Sequence, residues 1–422
     1  MSKDKILSYI DTSLPLAIEL QKELTKRPAI SPDSGGEGEL DKCLFLEDRL
    51  WVLGFKDLKR YDAPDKRAKG GVRPNLIAGI PGTEGNTDSG NAGCGTLWII
   101  SHIDVVPPGE LTLWKTDPWT VVEMNDSPGR RLIGRGVEDN QQGLISSVLA
   151  ALAFVKQGLT PAKTVKMLFA ADEETGSAFG INWLLENHSG LFRKGDTAII
   201  PDGGSSNGEA IEIAEKNMLW VRFVTKGVQT HGSRPDTGIN AHLAGADLAL
   251  RLHYGLSQKF SDRDPLFNPD YSTFQPTKKE ANVPNINTVP GEDVFCMDMR
   301  VLPRYPVKTV LEEIDRVKDE IAKKHKVTIE YSIAQSSESP PTSVESPLVQ
   351  SLSAAIHEIY GVTAKPVGIG GGTVAAPLRR IGMDCAVWAK LNDCAHQPNE
   401  YVLLDNIIGD AKVIALLMLA SA

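Results

Sequence analysis

No two cysteines in this chain form a C-x-x-C pair, which removes the usual thiolate zinc clamp and the redox-active dithiol. The five cysteines, Cys43, Cys94, Cys296, Cys385 and Cys394, are odd in number and far apart, and read as reduced, mostly buried thiols. Long apolar runs are missing too. No stretch reaches about 18 apolar residues without a charge, so no segment is expected to span a membrane. The N-terminal MSKDKILSYIDTSLPLAIEL mixes charged and apolar positions in a helical rhythm and lacks the apolar core and cleavage site of a secretory leader, so a cytoplasmic protein is expected. Basic patches and basic tails are also wanting. The formal net charge of −9 argues against a general binder of nucleic acid or anionic lipid and favours a small substrate.

What is present is enough for more than one core. Single cores stop growing near ~250–300 residues, so 422 residues predict two domains. Residues 97–101 (LWIIS) and 164–171 (TVKMLFAA) read as buried strands that end at His102 and at Asp172-Glu173-Glu174. Between them 143–156 has the length and apolar content of a helix. A helix over 178–187 and a strand over 197–200 ending at Pro201-Asp202-Gly203 continue a βαβαβ rhythm, which predicts a mostly parallel sheet covered by helices.

The rhythm then changes. Strands over 219–226, 286–289, 294–301 and 327–333, with helices over 240–256 and 307–325, make a β-α-β-β-α-β series, the ferredoxin-like order. The expected organisation is an α/β catalytic domain built from 1–215 and 334–422, interrupted by an α+β insert at 216–333. The Ser- and Pro-rich AQSSESPPTSVESP marks the exit from the insert. Beyond it a helix over 348–360, the loop GIGGGT at 368–373, a strand over 386–389 and a helix from about 404 return to the α/β pattern.

Ligands of open parallel sheets bind beyond the carboxyl ends of the strands, and chemistry-bearing side chains gather there. His102-Ile103-Asp104 follows one strand; alone, it also reads as a strand cap and a turn. Asp139 lies in a glycine-punctuated loop before the helix at 143, where an ordinary helix cap is the plainer reading. Asp172-Glu173-Glu174 is a stronger signal, since three successive acids repel one another unless cations are near. Asp202 repeats the strand-end placement, and His396 follows another apolar strand within a few residues. Together they form a mixed nitrogen and oxygen set suited to zinc, with cobalt or manganese as substitutes.

In order along the chain stand His102-x-Asp104, Gly134-Arg135-Gly136-x-x-Asp139, Asp172-Glu173-Glu174-x-Gly176, Pro201-Asp202-Gly203, His231 in QTHGSRPDTGINA, Asn287-x-x-Pro290, Asp298-x-Arg300, Gly371-Gly372-Thr373 and His396-x-Pro398-Asn399-Glu400. This set resembles the di-zinc aminoacylase, desuccinylase and carboxypeptidase family, which includes succinyl-diaminopimelate desuccinylase, acetylornithine deacetylase, carboxypeptidase G and the cytosolic dipeptidases. The resemblance spans nearly the whole chain. It implies a zinc-exopeptidase type of catalytic domain with an inserted lid and dimerisation domain, and two divalent metal ions per chain.

By the same resemblance His102 and Asp202 would hold one ion, Glu174 and His396 the other, and Asp139 would bridge them. Asp104 would orient His102, and Glu173 would act as general base. His231 resembles the histidine that reaches across a homodimer to the oxyanion, and Arg300, Asn287, Gly372 and Thr373 resemble the groups that grip a substrate carboxylate. The implied substrate is an N-acyl amino acid, with a short peptide as the alternative. The sequence departs from the pattern in three places: Gln142 stands before Gly143 where lysine is often found, Gly232-Ser233 follows His231, and Val374 follows Gly-Gly-Thr.

Overall fold

The computed structural model describes residues 2–83 and 95–420, so Cys94 lies outside the described residues. By internal contacts the chain divides into two compact units, Met1–Ile213 with Thr342–Pro366 and Pro377–Ala422, and Ala214–Pro341 with Val367–Ala376.

The first unit is organised on an eight-stranded mixed sheet. Its centre is parallel: Val165–Ala170, Leu97–His102, Thr197–Ser205 and Asp384–Lys390 lie side by side in that order. Two antiparallel strands, Asp57–Pro64 and Val72–Ile80, extend one side. Leu97–His102 is buried along its whole length, as a strand covered on both faces must be, and this explains its unbroken apolar run.

The helix Gln141–Gln157 is buried from Gln141 through Phe154 and packs on the strands Leu97–His102 and Thr197–Ser205, on Ser2–Asp11 and on the C-terminal helix Leu404–Leu419. Its small residues allow a close approach. A Cβ at Gly143 would lie 2.1 Å from the carbonyl oxygen of Pro201, so only glycine lets this helix seat against the strand that carries Asp202. A separate three-stranded antiparallel sheet joins Val122–Asp126, Gly129–Ile133 and Tyr401–Leu403, with Tyr401 opposite Ile133.

The second unit carries a four-stranded antiparallel sheet in the order Thr273–Lys279, Glu292–Val301, Asn217–Lys226, Thr328–Ser337. Helices Ala241–Lys259 and Val307–His325 supply Leu248, Leu252, Val310 and Ile314 to a core with Phe223, Phe274 and Met299. The β-α-β-β-α-β order is as expected, but its second strand is not 286–289. That place is taken by Thr273–Lys279, whose Pro276 and two lysines disguise it. Only Thr288–Val289 is extended in the expected segment, and it pairs with Thr230–His231 in a two-stranded ribbon. The last strand runs on to Ser337, through a register irregularity between Ile333 and Gln335, because its polar end is exposed and still has Asn217–Lys226 to pair with. The expected helix over 178–187 begins at Ile181.

Candidate metal centre

The ligand candidates all lie in the first unit: His102 at a strand end, Asp139 and His396 in loops, Glu174 in a short turn, and Asp202 inside the strand Thr197–Ser205, which runs on past the expected end at Pro201-Asp202-Gly203. His102 closes its strand, and its Nδ1 lies 3.0 Å from the backbone carbonyl of Asp104 and 3.3 Å from Asp104 Oδ1. That contact leaves Nε2 facing outward, 2.9 Å from Asp139 Oδ1 and 3.5 Å from Asp202 Oδ1. The other oxygen of Asp139 lies 3.1 Å from His396 Nε2, which is 3.0 Å from Glu174 Oε2. One carboxylate thus faces two imidazoles, one per oxygen.

The ligand atoms of His102, Asp139 and Glu174 lie within 4.8 Å of one another, and so do those of His102, Glu173 and Asp202. Asp104, itself buried, also accepts the backbone N–H groups of Glu173 at 3.1 Å and Glu174 at 3.0 Å, fixing the acidic turn against the histidine strand. Asn140 donates to Asp202 Oδ1 at 2.5 Å and to the Pro201 carbonyl at 2.8 Å.

The electrostatics of these groups fit cations. Burial works against charge on His102, yet Asp202, Asp104 and Asp139 outweigh it and hold the imidazole pKa well above its ordinary value. Hydrogen bonds to Asp139 and Glu174 raise His396 to about 10. Burial pushes Glu173 well above the carboxylate range, with Asp202 adding repulsion, and raises Glu174 and Asp202 as well. Asp139 goes the other way, because the two imidazoles overcome its burial. Glu174 Oε1 is buried with no hydrogen-bond donor, a costly arrangement for a carboxylate oxygen unless a cation meets it. Nitrogen and carboxylate donors so arranged suit zinc, cobalt or manganese.

The remaining candidates belong to the second unit. His231 is exposed on its short ribbon, with Nδ1 2.8 Å from Ser233 Oγ. The Asn287 carbonyl accepts from Gly232 N at 2.6 Å, and its side-chain oxygen accepts from Asn285 at 2.5 Å. Arg300 makes a two-pronged pair with Asp298, at 2.7 and 3.0 Å, and donates to the Gly370 carbonyl at 2.9 Å. Thr373 Oγ1 donates to Glu215 Oε1 at 2.5 Å, and Gly372 is exposed. Among the three departures, Gln142 is buried and donates to the Lys390 carbonyl at 2.9 Å and to Asp410 Oδ2 at 2.7 Å. Val374 is buried too, and Ser233 serves as the partner of His231.

Several supporting residues escape motif-based reasoning. Arg73, fully buried, pairs with Glu39 and lies 3.1 Å from Asp172 Oδ1. Asp172 in turn accepts from Thr175 Oγ1 and from Phe179 N, so it shapes the turn that presents Glu173 and Glu174. Asp172 was visible as part of an acidic triplet; Arg73 and Glu39 lie far away in sequence and carry no local signal.

Residues 98–420 match the description of peptidase family M20/M25/M40. A metallohydrolase of Methanocaldococcus jannaschii described as uncharacterized is 37% identical over 413 residues, covering 94% of this chain and 97% of its own length. A succinyl-diaminopimelate desuccinylase of Shewanella loihica is 25% identical over 390 residues, covering 92% and 95%. Among solved structures, the dipeptidase Dug1p of Saccharomyces cerevisiae aligns over 99% of this chain and 98% of its own, with a TM-score of 0.71 at 16% identity. Aminopeptidase PepT of Bacillus cereus aligns over 96% and 98%, with a TM-score of 0.74 at 17% identity. At these identities the solved structures establish the fold, while the match along the sequence establishes the kinship. The chain belongs to peptidase family M20/M25/M40 and is a metal-dependent hydrolase acting on amide bonds.

Proposed function

We propose that the protein is a deacylase of N-acyl amino acids that works with two divalent cations, zinc in the first instance. The observation that carries this reading is the Asp139 carboxylate, with one oxygen toward His102 and the other toward His396. His102 and Asp202 would hold one cation, Glu174 and His396 the other, and Asp139 both. When bound, the cations would polarise the scissile carbonyl and lower the pKa of the attacking water toward ~7.

The rest of the chemistry falls to the chain's own groups. A carboxylate oxygen of Glu173 takes the proton from the attacking water and delivers it to the leaving amine. Asp104 keeps His102 oriented through Nδ1 and holds the backbone of Glu173 in place. Arg300, Asn287, Gly372 and Thr373 would receive the substrate carboxylate, Arg300 having a fork whose present partner is Asp298. His231, exposed and tethered only to Ser233, would donate to the oxyanion.

The choice of an acyl amino acid is supported by desuccinylases from several organisms that align with more than nine-tenths of this chain. We further propose that the second unit forms a homodimer and that His231 serves the neighbouring chain. Supporting this, Leu243, Leu250 and Tyr254 stand exposed on one helix at positions i, i+7 and i+11, and Thr273–Lys279 is an edge strand. Cys43, Cys296 and Cys394 are free thiols, in keeping with work in the cytoplasm. No described helix is long and apolar enough to cross a membrane.

Metal-loaded protein assayed against N-succinyl-diaminopimelate, N-acetylornithine and a dipeptide panel tests the substrate. A preference of at least tenfold in kcat/KM for an acyl amino acid supports the reading. A preference for dipeptides would make the enzyme a dipeptidase with the same chemistry.

A further inference from the structure

The loops bearing Asp139 and His396 adjoin the same small sheet and are joined at its edge by a backbone hydrogen bond from Gly134 N to the Glu400 carbonyl at 3.1 Å, so beyond that point their spacing falls to side chains. One loop begins after Ile133 and the other ends before Tyr401, and those two residues face each other across the antiparallel pair. Each loop sends one buried carboxylate into the other. Glu400, 0% exposed, accepts from Arg135 Nη1 at 2.7 Å and from the backbone N–H groups of Gly136, Glu138 and Asp139 at 3.0, 2.9 and 3.1 Å. Glu138, 2% exposed, reciprocates by accepting from the backbone N–H of Asn392, from that of Cys394 at 2.9 Å and from Cys394 Sγ at 3.1 Å.

Two features argue that this exchange does more than fill space. Burying two carboxylates is expensive, and apolar residues of similar volume would pack the same space without that cost. The His396 loop also holds three non-glycine residues in the left-handed region, Asp393 at φ 59°, His396 at φ 62° and Asn399 at φ 62°. Such backbone persists only where its surroundings over-determine it. The His396 side chain is 55% exposed and is held through Nε2, against Asp139 and Glu174, so the backbone conformation of Asp393 and Asn399 needs other support. Asn399 adds a tether on the same loop, accepting from Lys115 N at 2.7 Å and donating to the Leu113 carbonyl at 2.9 Å.

We infer that Glu138 and Glu400 form a reciprocal clasp that fixes the spacing of Asp139 and His396, and so sets the affinity for the cation shared by Asp139, Glu174 and His396. Both are positioning residues: they act on backbone N–H groups of the ligand loops, and Glu400 reaches the amide of Asp139 itself. The inference rests on the two-cation reading above and goes beyond it in assigning what holds the second cation's ligands in register.

The test is titration of metal-free wild type, Glu400→Gln and Glu138→Gln with zinc or cobalt by calorimetry, together with the visible spectrum of the cobalt-loaded forms. Glu313→Gln, a buried carboxylate of the other unit, controls for general loss of stability. Wild type should bind two equivalents. Each clasp variant should keep the first near wild-type affinity and bind the second 10- to 100-fold more weakly, the usual effect of removing an outer support, with an altered cobalt spectrum. Wild-type affinities and spectra in both variants would overturn the clasp while leaving the metal centre standing. Equal weakening of both cations, tracking a fall in Tm as in Glu313→Gln, would also overturn it, as a merely structural role. Fewer than two equivalents in wild type would remove the two-cation reading and the clasp with it. Glu138→Gln carries the test should Glu400→Gln not fold, because it leaves Arg135 paired.

Discussion

Asp139 and Glu173 stand a few ångströms from the same histidine's surroundings but answer to different forces, and substitution should separate them. Asp139 is held ionised by two imidazoles, so Asp139→Ala removes a shared ligand and is expected to leave less than one cation per chain by elemental analysis. Glu173→Ala should retain both cations and lose ~10²–10⁴-fold in kcat, the usual weight of general acid–base catalysis. Activity within about tenfold of wild type would end the base assignment. The proposed ligands were marked in the sequence by the ordered motif set and not by any one residue, since His102 alone also reads as a strand cap and Asp139 as a helix cap. Glu138 was not, since its partners lie more than 250 positions away, and Arg135 was visible only as a motif letter. Glu400 was visible only as a motif letter; its hydrogen bonds to three backbone amides have no signature in residue spacing.

At the scale of elements, the seating of the helix Gln141–Gln157 on the strand Thr197–Ser205 governs where Asp202 points. Gly143→Ala would put a methyl 2.1 Å from the Pro201 carbonyl, and neither backbone has room to yield cheaply. We expect a loss of ~1–3 kcal/mol, typical of overpacking, read as a lower denaturation midpoint, together with weaker binding of the cation at His102 and Asp202. An unchanged midpoint would mean that the helix slides freely. The central parallel strands were readable because burial on both faces demands continuous apolar runs. The edge strand Thr273–Lys279 was hidden for the opposite reason. Only Phe274 along it is buried, and the remaining positions are polar or proline, so alternation gave way to a pattern that resembles a loop. The small ribbon of Thr230–His231 with Thr288–Val289 is too short for any periodicity.

For the molecule as a whole, acid should reveal the second unit's ion pairs. Arg316, with Lys259, holds Glu313 down from 4.5 to about 2. A carboxylate depressed in the folded state adds stability above about pH 4.5 and loses it as pH falls toward 2. Glu313→Gln should therefore flatten the fall of stability across that window in denaturant titrations; an unchanged slope would show that other carboxylates dominate. The proposed homodimer predicts that Leu250→Glu, on the exposed helix stripe, yields monomers in sedimentation. It also predicts that mixing inactive His231→Ala with inactive Glu173→Ala chains restores activity toward half of wild type per hybrid dimer. Demonstrated subunit exchange without recovery would end the cross-chain role of His231. A last consequence lies where the chain leaves the first unit at Ile213 and returns at Thr342, for Thr342 N donates to the Ile213 carbonyl at 2.8 Å. The departing and returning backbones touch, so the host perceives the intervening residues as a closed loop whose entropic cost rises by only ~0.6 kcal/mol per doubling of length. Selection could lengthen or shorten surface loops within that segment with little penalty to the strands that hold the ligands, provided that His231, Asn287 and Arg300 keep their places.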